Sequence, residues 1–225
     1  MKNKKSDLGE MLKNAGILFA ITLIAGLALG FVNELTKEPI AYQQELKIQK
    51  ACAAVFAEAD SFEEMLIKLP EDFILDPAAS DIGVQAYPEE VLAYADEHGT
   101  QLGTVYQALS AQGDILGYVI NVTTHDGYGG DIVLMMGVKM DGTVNGISIL
   151  EIAETPGLGM QAEAVLVPQF AGKLADSFTY TKTGATAENE IDAISGATVT
   201  TEAVTNAVNT GLFYFQTAFK EGGNQ

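Results

Sequence analysis

Twenty consecutive residues without a charge, 14–33 (NAGILFAITLIAGLALGFVN), constrain this chain more than any other feature. As a helix rising about 1.5 Å per residue they span about 30 Å, the thickness of a bilayer's hydrocarbon core. A buried core helix of this length would keep a polar face, and this one has none. A cleaved signal peptide is the competing reading, but its apolar core runs about 7–15 residues and ends at a small-x-small site. Neither condition is met, and no cysteine follows that could be lipidated. The segment reads as an uncleaved membrane anchor. It divides the chain into a cytoplasmic N-terminus (1–13), a transmembrane helix (14–33) and an outer part.

The lysines give the orientation. Lys2, Lys4, Lys5 and Lys13 precede the anchor with only Asp7 and Glu10, whereas eight lysines face 28 acidic residues after it. Lysine on the short side predicts an N-terminus in the cytoplasm and a main domain outside the cell membrane. A formal charge of −18 repels phosphate backbones and excludes nucleic-acid binding as the main function. With a single cysteine, Cys52, the chain alone can build no disulfide, CxxC pair, structural zinc site or iron–sulfur cluster. His98 and His125 stand apart from any ligand spacing, so no metal is assigned.

The outer part divides into a helical and loop region (34–103) and a strand-rich region (104–220). In residues 34–58, Tyr42, Ile48, Cys52, Val55 and Phe56 recur at helical spacing, which makes Cys52 a small buried hydrophobe. Residues 59–103 are acidic and broken by Pro70, Pro77 and Pro88. Glu63-Glu64, Glu71-Asp72 and Asp96-Glu97-His98 read there as solvated faces and loops. Four strands follow at 104–111, 115–124, 132–140 and 143–150, and Asp141-Gly142 between the last two is the strongest hairpin signal. Short connections mean antiparallel pairing, not a doubly wound nucleotide fold. Val204, Val208, Leu212, Phe215 and Phe219 then form the apolar stripe of a helix over 200–219, which Glu221-Gly222-Gly223 would stop. The fold class is α+β: a transmembrane helix, then an antiparallel sheet with flanking helices.

Two segments can carry chemistry. Residues 192–201 read DAISGATVTT just ahead of the last helix. Hydroxyls and a glycine at a helix start are first of all a cap. The same free amides and dipole also suit a phosphate, with Gly196 and Ala197 allowing close approach and a threonine able to carry it as an ester. Residues 154–159 read ETPGLG, which is either a Pro-Gly turn leaving the sheet or a rigid loop that presses on a flat ring.

DAISGAT matches the D-x-x-[ST]-G-A-T signature of domains that carry covalent FMN on the last threonine. Together with ETPGLG, GYGG upstream and FAGK (Phe170 to Lys173) downstream, it resembles the FMN-binding domain. With the anchor and the chain length added, the whole resembles the RnfG family, the G subunits of the Rnf electron transport complex, an ion-translocating ferredoxin:NAD oxidoreductase. The C subunits of the Na⁺-translocating NADH:quinone oxidoreductase are similar in design and are the nearest alternative. The resemblance implies FMN esterified to Thr198 by a magnesium-dependent flavin transferase with FAD as donor. It implies a recognition signature and phosphate cradle of Asp192, Ser195, Gly196 and Ala197, with Thr200 donating to the phosphate. It further implies that Glu154, Thr155, Gly157, Leu158 and Gly159 line the ring, and that Lys173 approaches phosphate or ring. Thr186 ends a decoy, Thr183-Gly184-Ala185-Thr186, with Tyr180 where the aspartate belongs, and is expected to stay unmodified. The implied role is an electron carrier among other membrane subunits, without acid–base or nucleophilic catalysis of its own. A stand-alone extracytoplasmic FMN-domain reductase and an anchored interaction domain with SGAT as a mere cap are the other readings.

Overall fold

The computed structural model of the protein describes residues 4–65 and 87–220, so Pro70, Pro77, Glu71-Asp72 and the Glu221-Gly222-Gly223 stop lie outside the described residues. The chain divides into two units, 1–47 and 48–225.

The first unit is a single helix, the greater part of α1 (Lys4–Val55). Among the described residues this is the one helix long and apolar enough to cross a membrane, and none of its most apolar stretch is buried. Two threonines within it turn back on the helix. Thr22 donates to the carbonyls of Leu18 and Phe19, both at 3.0 Å. Thr36 does the same to Val32 at 3.0 Å and Asn33 at 3.2 Å. This local back-bonding gives both hydroxyls an acceptor within the helix.

The second unit is built on a sheet of six strands in chain order, each antiparallel to the next. These are β1 (Ser61–Glu64), β2 (Thr100–Leu109), β3 (Ile115–Thr124), β4 (Ile132–Lys139), β5 (Thr143–Glu151) and β6 (Lys173–Leu174). Between β1 and β2 lies α2 (Glu89–Glu97); between β5 and β6 lie the single turns α3 (Ala162–Val165) and α4 (Val167–Phe170). A separate parallel pair, β7 (Thr179–Thr181) with β8 (Glu190–Asp192), leads into the last helix, α5 (Thr198–Phe215).

Strand alternation sorts the core into two layers. Ile120, Val122, Leu134 and Met136 point to the side of α5, where Val204, Val208 and Leu212 complete the main cluster. Val119, Met135 and Ala108 point the other way and are covered by the end of α1, through Ala51, Cys52 and Val55, and by Phe56. Two glycines make room for that second layer. A Cβ on Gly117 would lie 2.6 Å from the Phe56 ring, and one on Gly137 would lie 2.9 Å from the Val55 carbonyl. Asn145 then locks the helix end by donating its side-chain amide to the Val55 carbonyl at 2.5 Å.

Cys52 sits in this layer at 1% exposure. Burial pushes its thiol up to about 12 from an ordinary 9.0. Folding thus favours the neutral thiol; its stabilising contribution is whole below the ordinary value and is lost as pH rises toward 12. The native chain should therefore resist alkylation at pH 8 while the urea-unfolded chain reacts readily. Equal rates in the two states would contradict the burial.

The expected meander is present, with shifted edges. Strand β2 starts at Thr100, and the Glu63-Glu64 pair, read as a solvated face or loop, is exposed but belongs to edge strand β1, opposite Gln107 and Tyr106. The sheet therefore crosses the expected 103/104 boundary. Asp96 and Glu97 close α2, and His98 caps it. Helix α5 starts two residues early, at Thr198, and gives way to a π-turn over Gln216–Lys220.

Candidate cofactor site at the start of the last helix

The approach to α5 is shaped by backbone conformation. Gly196 adopts φ +77°, a left-handed turn that favours glycine. A Cβ there would come within 3.2 Å of the Leu158 side chain. Ala197 is the N-cap and has no side-chain cap bond, so the hydroxyl cluster does not cap the helix in the usual way. Thr201 braces the turn instead, accepting from the Ile194 amide at 3.1 Å and donating to the Ala197 carbonyl at 2.9 Å. The first helical amide with a partner is that of Thr201, to the Ala197 carbonyl at 3.1 Å. The amides of Thr198, Val199 and Thr200 are the open donors that every helix start presents.

Two loops face this helix start. The exit of β5 carries Glu154, which is 6% exposed and whose Oε1 accepts the Gly129 amide at 3.3 Å. The β3–β4 loop contributes Tyr128 from the other side, 74% exposed. Glycine lets the two loops meet, because a Cβ on Gly129 would collide with the Ala153 carbonyl. After Glu154 the chain turns through Thr155, whose carbonyl accepts from the Leu158 amide at 3.1 Å, with Gly157 at φ +77°.

Between them lies a cavity of about 480 Å³, within the usual range of small-molecule sites of about 300–1,000 Å³. Its walls are Tyr128, then Glu154, Thr155, Leu158 and Gly159, then Gly196 through Thr200. Eight of the twelve residues expected at the site are thus brought together. Gly157 forms the turn without lining the cavity, and Ser195 is exposed before the glycine turn. Asp192 turns elsewhere: its Oδ1 accepts the Ala185 amide at 2.6 Å, while Gln169 grips its backbone amide and carbonyl at 2.6 and 3.1 Å. Lys173 is committed to the Glu190 carbonyl at 2.8 Å. Tyr128 and Val199 line the cavity without being among the expected residues, although Tyr128 stands inside the GYGG segment and Val199 between two expected threonines.

The decoy is differently placed. The Thr186 hydroxyl donates to Glu190 Oε2 at 3.1 Å and its amide to the same oxygen at 2.8 Å. Those bonds, with the Ala187 amide, hold the Glu190 carboxyl below its ordinary value. The histidines are also accounted for. His98 stacks on Tyr94 with ring centroids 4.1 Å apart, and His125 pairs with Asp131 at 3.0 Å.

Open amides at a dipole's positive end suit a phosphate, a half-buried threonine sits among them, and exposed Leu158 and Tyr128 offer flat apolar surface. Glycine at 159 lets Thr200 and Glu154 pack against the backbone there, where a Cβ would lie 2.6 Å from the Thr200 hydroxyl oxygen. The residues present fit FMN. Fold and site together define the second unit as a cofactor-carrying domain.

Comparison with known proteins agrees. The FMN-binding domain family matches residues 127–212, and the RnfG N-terminal region matches residues 1–55. The G subunit of the Na⁺-translocating ferredoxin:NAD⁺ oxidoreductase complex of Acetobacterium woodii is 35% identical over 209 residues, 91% of each chain. The G subunit of the ion-translocating oxidoreductase complex of Escherichia coli K12 is 31% identical over 217 residues, 92% of this chain and 93% of the relative. Among solved structures, Shewanella oneidensis NqrC matches with a TM-score of 0.55 at 20% identity, over 80% of this chain and 98% of that one, a likeness of fold. The chain belongs to the RnfG family, the G subunits of ion-translocating oxidoreductase complexes of the Rnf type.

Proposed function

We propose that this chain is a membrane-anchored flavoprotein that holds FMN through a phosphoester on Thr198 and relays electrons within an ion-translocating ferredoxin:NAD oxidoreductase. The observation that carries the reading is the position of Thr198, on the cavity wall in the first turn of α5, beside three open amides. FMN supplies one- and two-electron chemistry that no side chain here performs reversibly. The chain's own part is to bind, orient and shield. The amides of Thr198, Val199 and Thr200 receive the phosphate, the Thr200 hydroxyl adds a donor, and Leu158 and Tyr128 flank the ring. A magnesium-dependent flavin transferase would load it: the Thr198 oxygen bonds to the FMN phosphorus of FAD, AMP leaves, and the hydroxyl proton is released.

The lysine asymmetry about the anchor supports a cytoplasmic N-terminus and an extracytoplasmic domain in the cell membrane. One uncharged helix offers no ion path, so the ion crosses through partner subunits. The likeness to NqrC bears on the fold alone. The test is the intact mass of the full chain co-expressed with a flavin transferase, followed by peptide mapping. The expected result is an increment of FMN minus water on the peptide holding Thr198 and none on that holding Thr186. An unmodified chain beside an active transferase would overturn the reading.

A further inference from the structure

We propose that Glu154 sets the reduction potential of the cofactor, lowering it by placing a buried negative charge in the cavity wall; this rests on the flavin reading above. Glu154 lines the cavity at 6% exposure. Its Oε1 accepts the Gly129 amide at 3.3 Å, and its Oε2 has no hydrogen-bond partner among the described residues. No cation answers it either. Among the described residues Lys139 pairs with Glu58 and His125 contacts Asp131, and none of the four lines the cavity. The backbone is fitted around this carboxylate: a Cβ on Gly127 would lie 2.9 Å from Oε1, and one on Gly159 would lie 2.8 Å from Oε2.

A buried carboxylate without a cation is costly. A glutamine of the same size would accept the Gly129 amide equally well through its carbonyl. What the carboxylate adds is charge, and a second oxygen that only accepts hydrogen bonds. That charge divides the cavity into two poles. The positive start of α5 draws the phosphate, and Glu154 repels it, which directs the ring and its hydrogen-bond donors to the Glu154 side. In the cavity wall the charge is screened less than it would be in bulk water. Reduction adds an electron beside it, so the fixed negative charge opposes reduction and the potential falls.

The experiment compares the full wild-type chain with Glu154→Gln, both co-expressed with a flavin transferase, by intact mass and by spectroelectrochemical titration. Exposed Glu163, on α3, is the control as Glu163→Gln. The expected result is full loading of all three chains, an unchanged midpoint for Glu163→Gln, and an upward shift for Glu154→Gln. A tenfold change in the one-electron equilibrium constant corresponds to about 59 mV. The shift should persist at high salt, which screens exposed charges and spares buried ones. Coincident midpoints in loaded wild type and Glu154→Gln would overturn this assignment alone. Loss of loading in Glu154→Gln also overturns it, moving the residue from potential to attachment. An unloaded wild type overturns the cofactor reading and this assignment together.

Discussion

Thr198→Ala should abolish flavin loading entirely and leave the fold untouched. The Thr198 hydroxyl makes no hydrogen bond to a described residue, and the N-cap is Ala197, so no cap is lost with it. Alanine is also the better helix former. The stability change should therefore stay within about 0.5 kcal/mol, as at ordinary surface positions, while the mass increment disappears. Thr198→Ser keeps the nucleophilic oxygen and should still load. Thr186→Ala should load like the wild type, since the Thr186 hydroxyl is already held by Glu190 outside the cavity. Loading of the Thr198→Ala chain would sink the attachment site.

The largest loss of stability is expected at the opposite face of the sheet. Phe56→Ala should cost about 3–5 kcal/mol, the usual range for truncating a buried aromatic. Phe56 is 1% exposed and lies over Gly117 and Gly137, which have no side chains to fill the space it leaves. Domains of ordinary stability hold only about 5–15 kcal/mol in reserve, so most of the margin would go. Urea unfolding of the full chain in detergent, followed by tyrosine fluorescence because the chain has no tryptophan, would measure it. A loss below about 1 kcal/mol would mean that the layer beneath α1 is not a packed core.

The four long strands and the two large helices are legible in the sequence: α1 through its unbroken apolar run, α5 through its repeated apolar stripe, and the strands through β-branched, apolar runs between turn signals. Asp141-Gly142 marks its hairpin through φ +94° at Gly142 and the Asp141 carboxylate accepting the Thr143 amide at 2.8 Å. What escapes is short or acidic. Strands β6, β7 and β8 hold two or three residues each, too few to show alternation. Strand β1 and α2 hide in a carboxylate-rich stretch where solvated loop is the ordinary reading. In the site, Glu154, Leu158 and most of the residues from Gly196 to Thr200 can be gathered from motifs alone. Asp192 cannot be assigned its bond to Ala185 that way, because a motif records which residues recur together and not which way each side chain turns.

The wall of the cavity is assembled from three stretches far apart in the chain: the β3–β4 loop, the exit of β5 and the start of α5. Before the sheet closes, Thr198 is one threonine among many in a peptide, and its twin in the decoy loop is no different. If Thr198 is the acceptor, only the finished domain presents it in a shaped cleft. On the reading proposed here, cofactor attachment doubles as an inspection step: a chain that folds wrongly outside the membrane is never given the flavin, and enters no circuit as a dead relay.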